Sequence, residues 1–273
     1  MVDSVLKVGV TGASGRMGKE IIQALVERNS VKGDVILSAA ISHSDSHSVG
    51  KRAGAIVGLD ESSVVIEAEL FTTDFDVLID FSLVDSTLAN IEHCIAQKKA
   101  MVIGTTGFDV AQKKIIAEAA KYIPIVFAPN MSVAVNLSFH LIETAARVIG
   151  EESDIEIIET HHKHKVDAPS GTALRMGEII ANTLGRNLEE CAVYGREGHT
   201  GERDSKTIGF STIRAGSIIG DHTVMFADDS ERLEITHKSQ SRSTYAVGSV
   251  RAARWLSNQG IGLYDMQDVL GLR

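Results

Sequence analysis

A β-branched, apolar run at residues 5–11 breaks into Gly12-Ala13-Ser14-Gly15-Arg16-Met17-Gly18 and then into a stretch where Met17, Ile21 and Leu25 recur every fourth residue, with Ile22 and Val26 beside them. A strand, a glycine turn and an amphipathic helix in direct succession constrain the fold more than any other feature of the chain. The four-residue spacing puts the apolar side chains on one helix face, which has to be buried against a sheet. Glycine at every third position lets backbone amides and a helix N-terminus approach an anion closely, and the helix dipole favours negative charge there. The turn therefore reads as a pyrophosphate cradle for a dinucleotide, with Gly12, Ala13, Ser14, Gly15, Arg16 and Met17 as its contacts. Glycines in a tight turn are often purely structural, so the surrounding pattern has to decide.

That pattern alternates. Further strands are expected at 35–41, 76–81, 101–105 and 123–128, with helices at 85–97 and 110–121 between later ones. Alternating elements of this kind specify an α/β fold with a doubly wound, mostly parallel sheet. In such sheets ligands lie beyond the carboxyl ends of the strands. Gly104-Thr105-Thr106-Gly107 and Ala128-Pro129-Asn130-Met131 should then face the same crevice as the first turn, the proline stopping its strand and fixing the exit of the chain. Beyond residue 130 a helical stretch, 135–149, leads into strand-like runs at 154–161, 207–214, 223–227 and 231–237, which predict a second, mixed α+β domain. A helix at 243–257 and the tail 262–272 are expected to return to the first domain. The boundaries read this way are 1–130 with 241–273, and 131–240. Residues 190–206, rich in glycine and charge, read as a long loop.

Composition narrows the function classes. The 273 residues are 44% apolar and 23% charged, with no apolar run near the roughly 20 residues that a membrane span needs. A net charge of −9 argues against a general nucleic-acid partner, which would need excess cations to displace phosphate counterions. The first seven residues lack the basic and apolar regions of a signal peptide, which predicts a cytoplasmic, reducing location with Cys94 and Cys191 as free thiols.

The densest ionisable cluster is Glu159-Thr160-His161-His162-Lys163-His164-Lys165-Val166-Asp167-Ala168-Pro169-Ser170-Gly171-Thr172. Three histidines and two lysines within five positions of an acidic protein make a site for a small anion, a carboxylate above all, with imidazoles titrating near neutrality. Downstream, Ala173, Met176, Ile180 and Leu184 mark a helix face that Gly185 is placed to end. Ser170, Gly171 and Thr172 then open that helix, where hydroxyls and free amides can fork around a carboxylate. The plain alternative is a solvated charged loop. A metal is not expected, because Lys163 and Lys165 would repel a divalent cation and no cysteine lies near. His199, His222 and His237 are isolated and read as structural or surface histidines.

The motif E-T-H-H-K-H-K-V-D-A-P-S-G-T at 159–172, with supporting blocks at 8–18, 101–108, 128–136, 194–201 and 231–238, resembles the signature of the dihydrodipicolinate reductases of lysine and diaminopimelate synthesis. The resemblance implies a Rossmann-type N-terminal domain completed by the C-terminal helix and a central domain that binds substrate and builds a homotetramer. It also implies reduction of 4-hydroxy-tetrahydrodipicolinate by NADH or NADPH. Carried over, Gly12 to Met17 hold the pyrophosphate, while Gly104, Thr105, Thr106, Ala128, Pro129, Asn130 and Met131 flank the nicotinamide. His161 matches the proton donor and Lys165 the catalytic lysine; His162, Gly171 and Thr172, beside Ser170, match positions for the substrate carboxylates. Similar enzymes often carry an acidic residue followed by arginine after the second strand. This chain has Ser42-His43, which become its expected contacts to the adenosine ribose.

Three rival readings share parts of the pattern. The turn at 11–18 also fits the T-G-x-x-G-x-x-G of short-chain dehydrogenases, but none of Tyr122, Tyr194, Tyr245 or Tyr264 is followed four residues later by lysine. A semialdehyde dehydrogenase needs a reactive cysteine, and neither Cys94 nor Cys191 has a reactive-looking context. A redox-sensing protein would hold NADPH without chemistry and use the His/Lys run only as an interaction patch.

Overall fold

The computed structural model describes residues 5–59, 62–70 and 74–273; residues 1–4, part of the start read above for a signal segment, lie outside them. The chain opens with β1 (Leu6–Thr11), α1 (Arg16–Lys32), β2 (Val35–Ile41), β3 (Ile66–Glu67), β4 (Val77–Asp80), α2 (Val84–Gln97), β5 (Ala100–Ile103), α3 (Val110–Ala119) and β6 (Pro124–Phe127). The two-residue β3 is a strand that the sequence pattern does not reveal, since two residues show no alternation. In α1 the four-residue spacing does what it predicts: Ile21, Ile22 and Leu25 are fully buried, each contributing about 1.5–3 kcal/mol. Gly33 caps that helix in the left-handed conformation at φ 65°, its N–H bonded to the Asn29 carbonyl.

The chain continues through α4 (Val133–Ile149), β7 (Asp154–His161), α5 (Gly171–Thr183), α6 (Leu188–Cys191), β8 (Ala192–Tyr194), β9 (Ile208–Arg214), β10 (Gly220–Ala227) and β11 (Arg232–Ser239). These strands form one mixed sheet in the order β11-β10-β7-β9-β8, antiparallel on the β10 side and parallel on the β9 side. One face packs on α4 and α5 through Ile155, Ile157, Phe210, Val224 and Phe226. The loop expected at 190–206 is corrected at its beginning, where α6 ends and β8 runs; both elements are too short for a periodic signal. The rest is tied to β7: Arg196 bonds Glu156, and Arg203 reaches both Asp154 and Glu156.

Finally come α7 (Ser243–Leu256), β12 (Gly262–Tyr264) and α8 (Met266–Leu270). β12 pairs parallel with β6 and completes a seven-stranded sheet, β12-β6-β5-β4-β1-β2-β3, in which every pairing is parallel. Period-two alternation sends Val8, Val10, Val77, Ile79, Val102 and Val126 to the face covered by α1 and α7. Leu78, Met101, Ile103 and Ile125 go to the face covered by α2 and α3. The molecule divides into two compact units, one running to Val133 and including Arg242–Arg273, the other Ala134–Ser241. The first is a Rossmann-type doubly wound sheet and the second a mixed α+β sheet.

The return of α7 depends on a close approach. A Cβ on Gly248 would lie 1.8 Å from the Met131 carbonyl oxygen, so the helix touches the exit of β6 backbone to backbone. Gly248→Ala gains about 1 kcal/mol of helix propensity. Forcing the two backbones apart costs about 1–3 kcal/mol or more. The variant should therefore be less stable, with a lower urea midpoint at unchanged m-value; a midpoint at or above wild type would contradict this packing.

Candidate active site

In the first unit, the loops after β1, β4 and β5 close on one another. Gly12 holds φ 72°, and a Cβ there would lie 2.2 Å from the Phe81 carbonyl oxygen; one on Gly104 would lie 2.1 Å from the Phe81 ring. Both glycine turns thus abut Phe81-Ser82, a loop that sequence reasoning missed. Gly18 is needed for packing, since its Cβ would fall 2.1 Å from the Gly12 carbonyl oxygen. Gly15 is the N-cap of α1 and no side chain caps this end, so the exposed Arg16 and half-buried Met17 open a helix whose first-turn amides suit an anion. Ala13 is buried and its N–H donates to the Ile41 carbonyl, so it braces the turn to β2 rather than lining the cradle.

The remaining expected coenzyme residues lie around this turn and along the same edge of the sheet. Ser14 and Ser42 share a short hydroxyl–hydroxyl hydrogen bond, and the buried Ser42 also donates its N–H to the Glu67 carbonyl of β3. His43 is exposed, 3.6 Å from Asp45. Thr105 is buried while Thr106 is exposed. After β6, Ala128 and Met131 are buried, Pro129 is exposed, and the Asn130 side chain accepts the Ser132 N–H. A turn this intolerant of Cβ atoms, opening an uncapped helix, fits a dinucleotide.

In the second unit the period-two pattern of β7 carries Glu159 and His161 onto the face of Ile155 and Ile157, so an apolar strand becomes polar at its carboxyl end. Glu159 is 1% exposed. It accepts both Arg214 Nη atoms at 2.8 Å, the Ser170 N–H at 3.0 Å and the Thr212 hydroxyl at 3.3 Å. His161 Nδ1 lies 2.6 Å from the same carboxylate. Burial pushes the Glu159 carboxyl up, but Arg214, His161 and the Ser170 N–H together outweigh it and hold the group below the usual range. With an acceptor on Nδ1, that nitrogen carries the hydrogen and Nε2 is left for proton exchange. Gly220 keeps the ring's other edge clear, since a Cβ there would lie 2.9 Å from Nε2.

His222, isolated in the sequence and read as a structural or surface histidine, is structural and packs on the candidate site. It is buried in β10, its ring meeting His161 edge to face at 5.1 Å and its Nε2 lying 2.9 Å from Ser170 Oγ. Burial first, then the neighbouring His161, pushes its pKa down to about 3. Ser170 is likewise turned inward: its hydroxyl caps α5 by accepting the Ala173 N–H, so only Gly171, exposed, and Thr172, half-buried, present the helix start. Lys165 Nζ bonds both carboxylate oxygens of Asp167, at 2.7 and 2.8 Å, which holds the Asp167 carboxyl below its usual range. Lys165 also donates its N–H to the His162 carbonyl, and the His162 ring lies 6.2 Å from that of His164. Arg214 and His222 come from strands paired with β7, so nothing local in the sequence marks them. Glu159 was visible, two residues before His161 on a strand.

The depressed His222 value fixes a pH dependence. Above about pH 6.5 the residue is neutral folded or unfolded and contributes nothing. As pH falls from there to about 3 only the unfolded chain takes the proton, which costs the fold about 1.4 kcal/mol per pH unit. Glu159, with its lowered value, adds loss of the same sign below about pH 4.5. The urea midpoint should fall from pH 7 to pH 5, and His222→Asn should lower the proton uptake on unfolding by about one. An unchanged slope in that variant would contradict a neutral, buried His222.

Family models for "Dihydrodipicolinate reductase, N-terminus" and "Dihydrodipicolinate reductase, C-terminus" match residues 6–131 and 134–270. The 4-hydroxy-tetrahydrodipicolinate reductase of Methylococcus capsulatus (strain Bath) is 56% identical over 271 residues, which is 98% of this chain and 99% of that protein. Among solved structures, a dipicolinate-bound dihydrodipicolinate reductase from Paenisporosarcina sp. TG-14 superposes with a TM-score of 0.74 at 22% identity, covering 97% of this chain and 98% of the other. Aspartate semialdehyde dehydrogenase II of Vibrio cholerae gives 0.55 at 10% identity, covering 92% and 98%. These two likenesses show the fold alone. Neither cysteine here suits a nucleophile: Cys94 lies buried in α2, where burial pushes its thiol up to about 12, and burial also raises Cys191. Both halves of the sequence match one family, and this chain belongs to the dihydrodipicolinate reductases.

Proposed function

We propose that the chain reduces 4-hydroxy-tetrahydrodipicolinate to tetrahydrodipicolinate with NADH or NADPH, in the synthesis of diaminopimelate and lysine. The observation that carries the assignment to residues is the buried Glu159–His161 contact at the end of β7, next to the start of α5. The net change adds one hydride and one proton to the substrate and releases water. Loss of the 4-hydroxyl as water gives a conjugated imine, to which the coenzyme, when bound, would supply the hydride. His161 gives the proton from Nε2, with Glu159 fixing the ring through Nδ1. Lys165 is the second cation at the reacting end, steadied by Asp167. Gly171 and Thr172 at the α5 N-terminus, with His162, hold the substrate carboxylates by charge-assisted hydrogen bonds. In this reading the first unit holds the coenzyme and the second the substrate.

The second unit is also the natural place for homotetramer contacts. Half-buried Ile158 and Met225 and exposed Ile213 lie on the sheet face opposite its α4 and α5 core. Solution mass is the measurement that bears on this. Among the described residues no helix is long and apolar enough to cross a membrane, and a nicotinamide-coupled biosynthetic step fits the cytoplasm.

Turnover is tested in a coupled assay that makes the substrate in place and follows loss of nicotinamide absorbance. His161→Gln should lower kcat by about 10²- to 10⁴-fold, the range of a positioned general acid, with NADPH affinity nearly unchanged. Retention of more than half the wild-type kcat would remove the role. A chain that bound coenzyme but turned over no cyclic dicarboxylate would instead be a sensor.

Coenzyme choice follows from the end of β2. An acidic residue there favours NADH by bonding the ribose hydroxyl and repelling a 2′-phosphate. Here Ser42 and Ser14 offer paired hydroxyls, and His43, next to Ser42 in sequence, stands exposed. NADPH should bind at least as well as NADH, its advantage shrinking as salt rises. NADH binding roughly tenfold tighter, about 1.4 kcal/mol, would overturn this.

A further inference from the structure

Asp80, the last residue of β4, is fully buried, and its partners are all neutral. Oδ2 accepts the Thr11 hydroxyl at 2.7 Å and the Asn90 amide at 2.7 Å. Oδ1 accepts the Thr105 hydroxyl at 2.7 Å, the Thr87 hydroxyl at 2.8 Å, and the Ser82 hydroxyl and N–H at 2.9 and 3.2 Å. Among the described residues no lysine, arginine or histidine pairs with it. Its backbone carbonyl accepts the Gly104 N–H at 2.9 Å.

These donors come from the elements that meet at the candidate coenzyme site. Thr11 ends β1, immediately before the first glycine turn. Ser82 belongs to the loop that abuts Gly12 and Gly104, and Thr105 lies inside the second glycine turn, where its hydroxyl also accepts the Ser82 N–H at 3.0 Å. Thr87 and Asn90 sit on α2, which is anchored in the core by Ile91 and Cys94. Burying a carboxylate without a cation costs several kcal/mol before its hydrogen bonds offset it, and well-packed apolar groups usually stabilise as much or more. Stability alone does not account for such a hub. Directionality does, because each hydroxyl is turned toward one fixed point and brings its loop with it.

We infer that Asp80 is a positioning residue for the coenzyme: it locks the loops after β1, β4 and β5 in the one arrangement that lets both glycine turns present their backbone to a dinucleotide. The inference rests on the coenzyme reading above, and Asp80 itself, being fully buried, acts through Thr11, Ser82 and Thr105.

NADPH is titrated calorimetrically at 10 °C into wild type, Asp80→Asn, Thr11→Val and Thr11→Ser, each also followed by thermal melting and steady-state kinetics. Asn at 80 sets a donor against donors, and Val at 11 removes one link outside the glycine turns. Both should raise the NADPH Kd about tenfold or more, with a larger change in KM for NADPH than in kcat, and Thr11→Ser should return the affinity to within about threefold of wild type. Variants with a lower melting temperature but wild-type NADPH affinity would reduce Asp80 to a structural group and overturn the inference. If Asp80→Asn does not fold, the Thr11 pair decides alone. Wild type that bound neither NADPH nor NADH would remove the coenzyme reading itself, a result distinct from wild type that binds beside variants that bind equally well.

Discussion

A parallel sheet covered on both faces leaves its polar business to its edges and ends. In the first unit α1 and α7 cover one face and α2 and α3 the other, and β4 and β5 are buried along their whole length. Side chains pointing to either face are committed to the core, so a polar ligand can be met only where the strands stop. The glycine turns, the uncapped start of α1 and the buried Asp80 all follow from that restriction. Backbone amides take the place of side chains, and the loops that carry them pack on one another around Phe81 and share Asp80 as an internal brace.

The second unit meets the same problem with a half-polar strand. β7 begins as an apolar strand and ends as a site, without a bend or an inserted loop, because period two keeps Ile155, Ile157, Glu159 and His161 in line. The register with β9 sets Glu159 opposite Thr212 and His161 opposite Arg214, and the register with β10 sets Glu159 opposite His222. Three strands therefore deliver the groups around one imidazole, and the start of α5 adds the Ser170 N–H and hydroxyl.

What the sequence made legible follows from these distances along the chain. The first glycine turn, the α1 face and the 159–172 motif are local patterns with strong periods or unusual composition, so they could be read directly. β3 and β8 are two and three residues long and have no period to read. Phe81, His222 and Arg214 acquire their places only through strand pairing and loop packing, over separations of tens of residues. Ser170 was read as an anion contact because it opens a helix; that position equally suits an N-cap, and burial beside His222 decided for the cap. Asp80 stands out in the apolar run Val77-Leu78-Ile79-Asp80-Phe81, though nothing nearby in sequence names Thr11 or Thr105 as its donors.

The two units bury a carboxylate by opposite means, and the contrast separates their roles. Asp80 is surrounded by neutral donors, and its geometry is transmitted to three loops. Glu159 is matched by the Arg214 guanidinium through two parallel hydrogen bonds, which makes the pair neutral in sum and rigid in direction. Glu159 has only the Ser170 N–H and the Thr212 hydroxyl as neutral donors, and paired with Arg214 it keeps an acceptor aimed at His161 Nδ1. What the ion pair gives the imidazole is therefore chiefly orientation, with the Nε2 edge left facing the space that Gly220 keeps open. In the proposed reduction, proton delivery by His161 would depend on that edge pointing one way throughout, and the Glu159–Arg214 pair is the part of the fold that holds the ring.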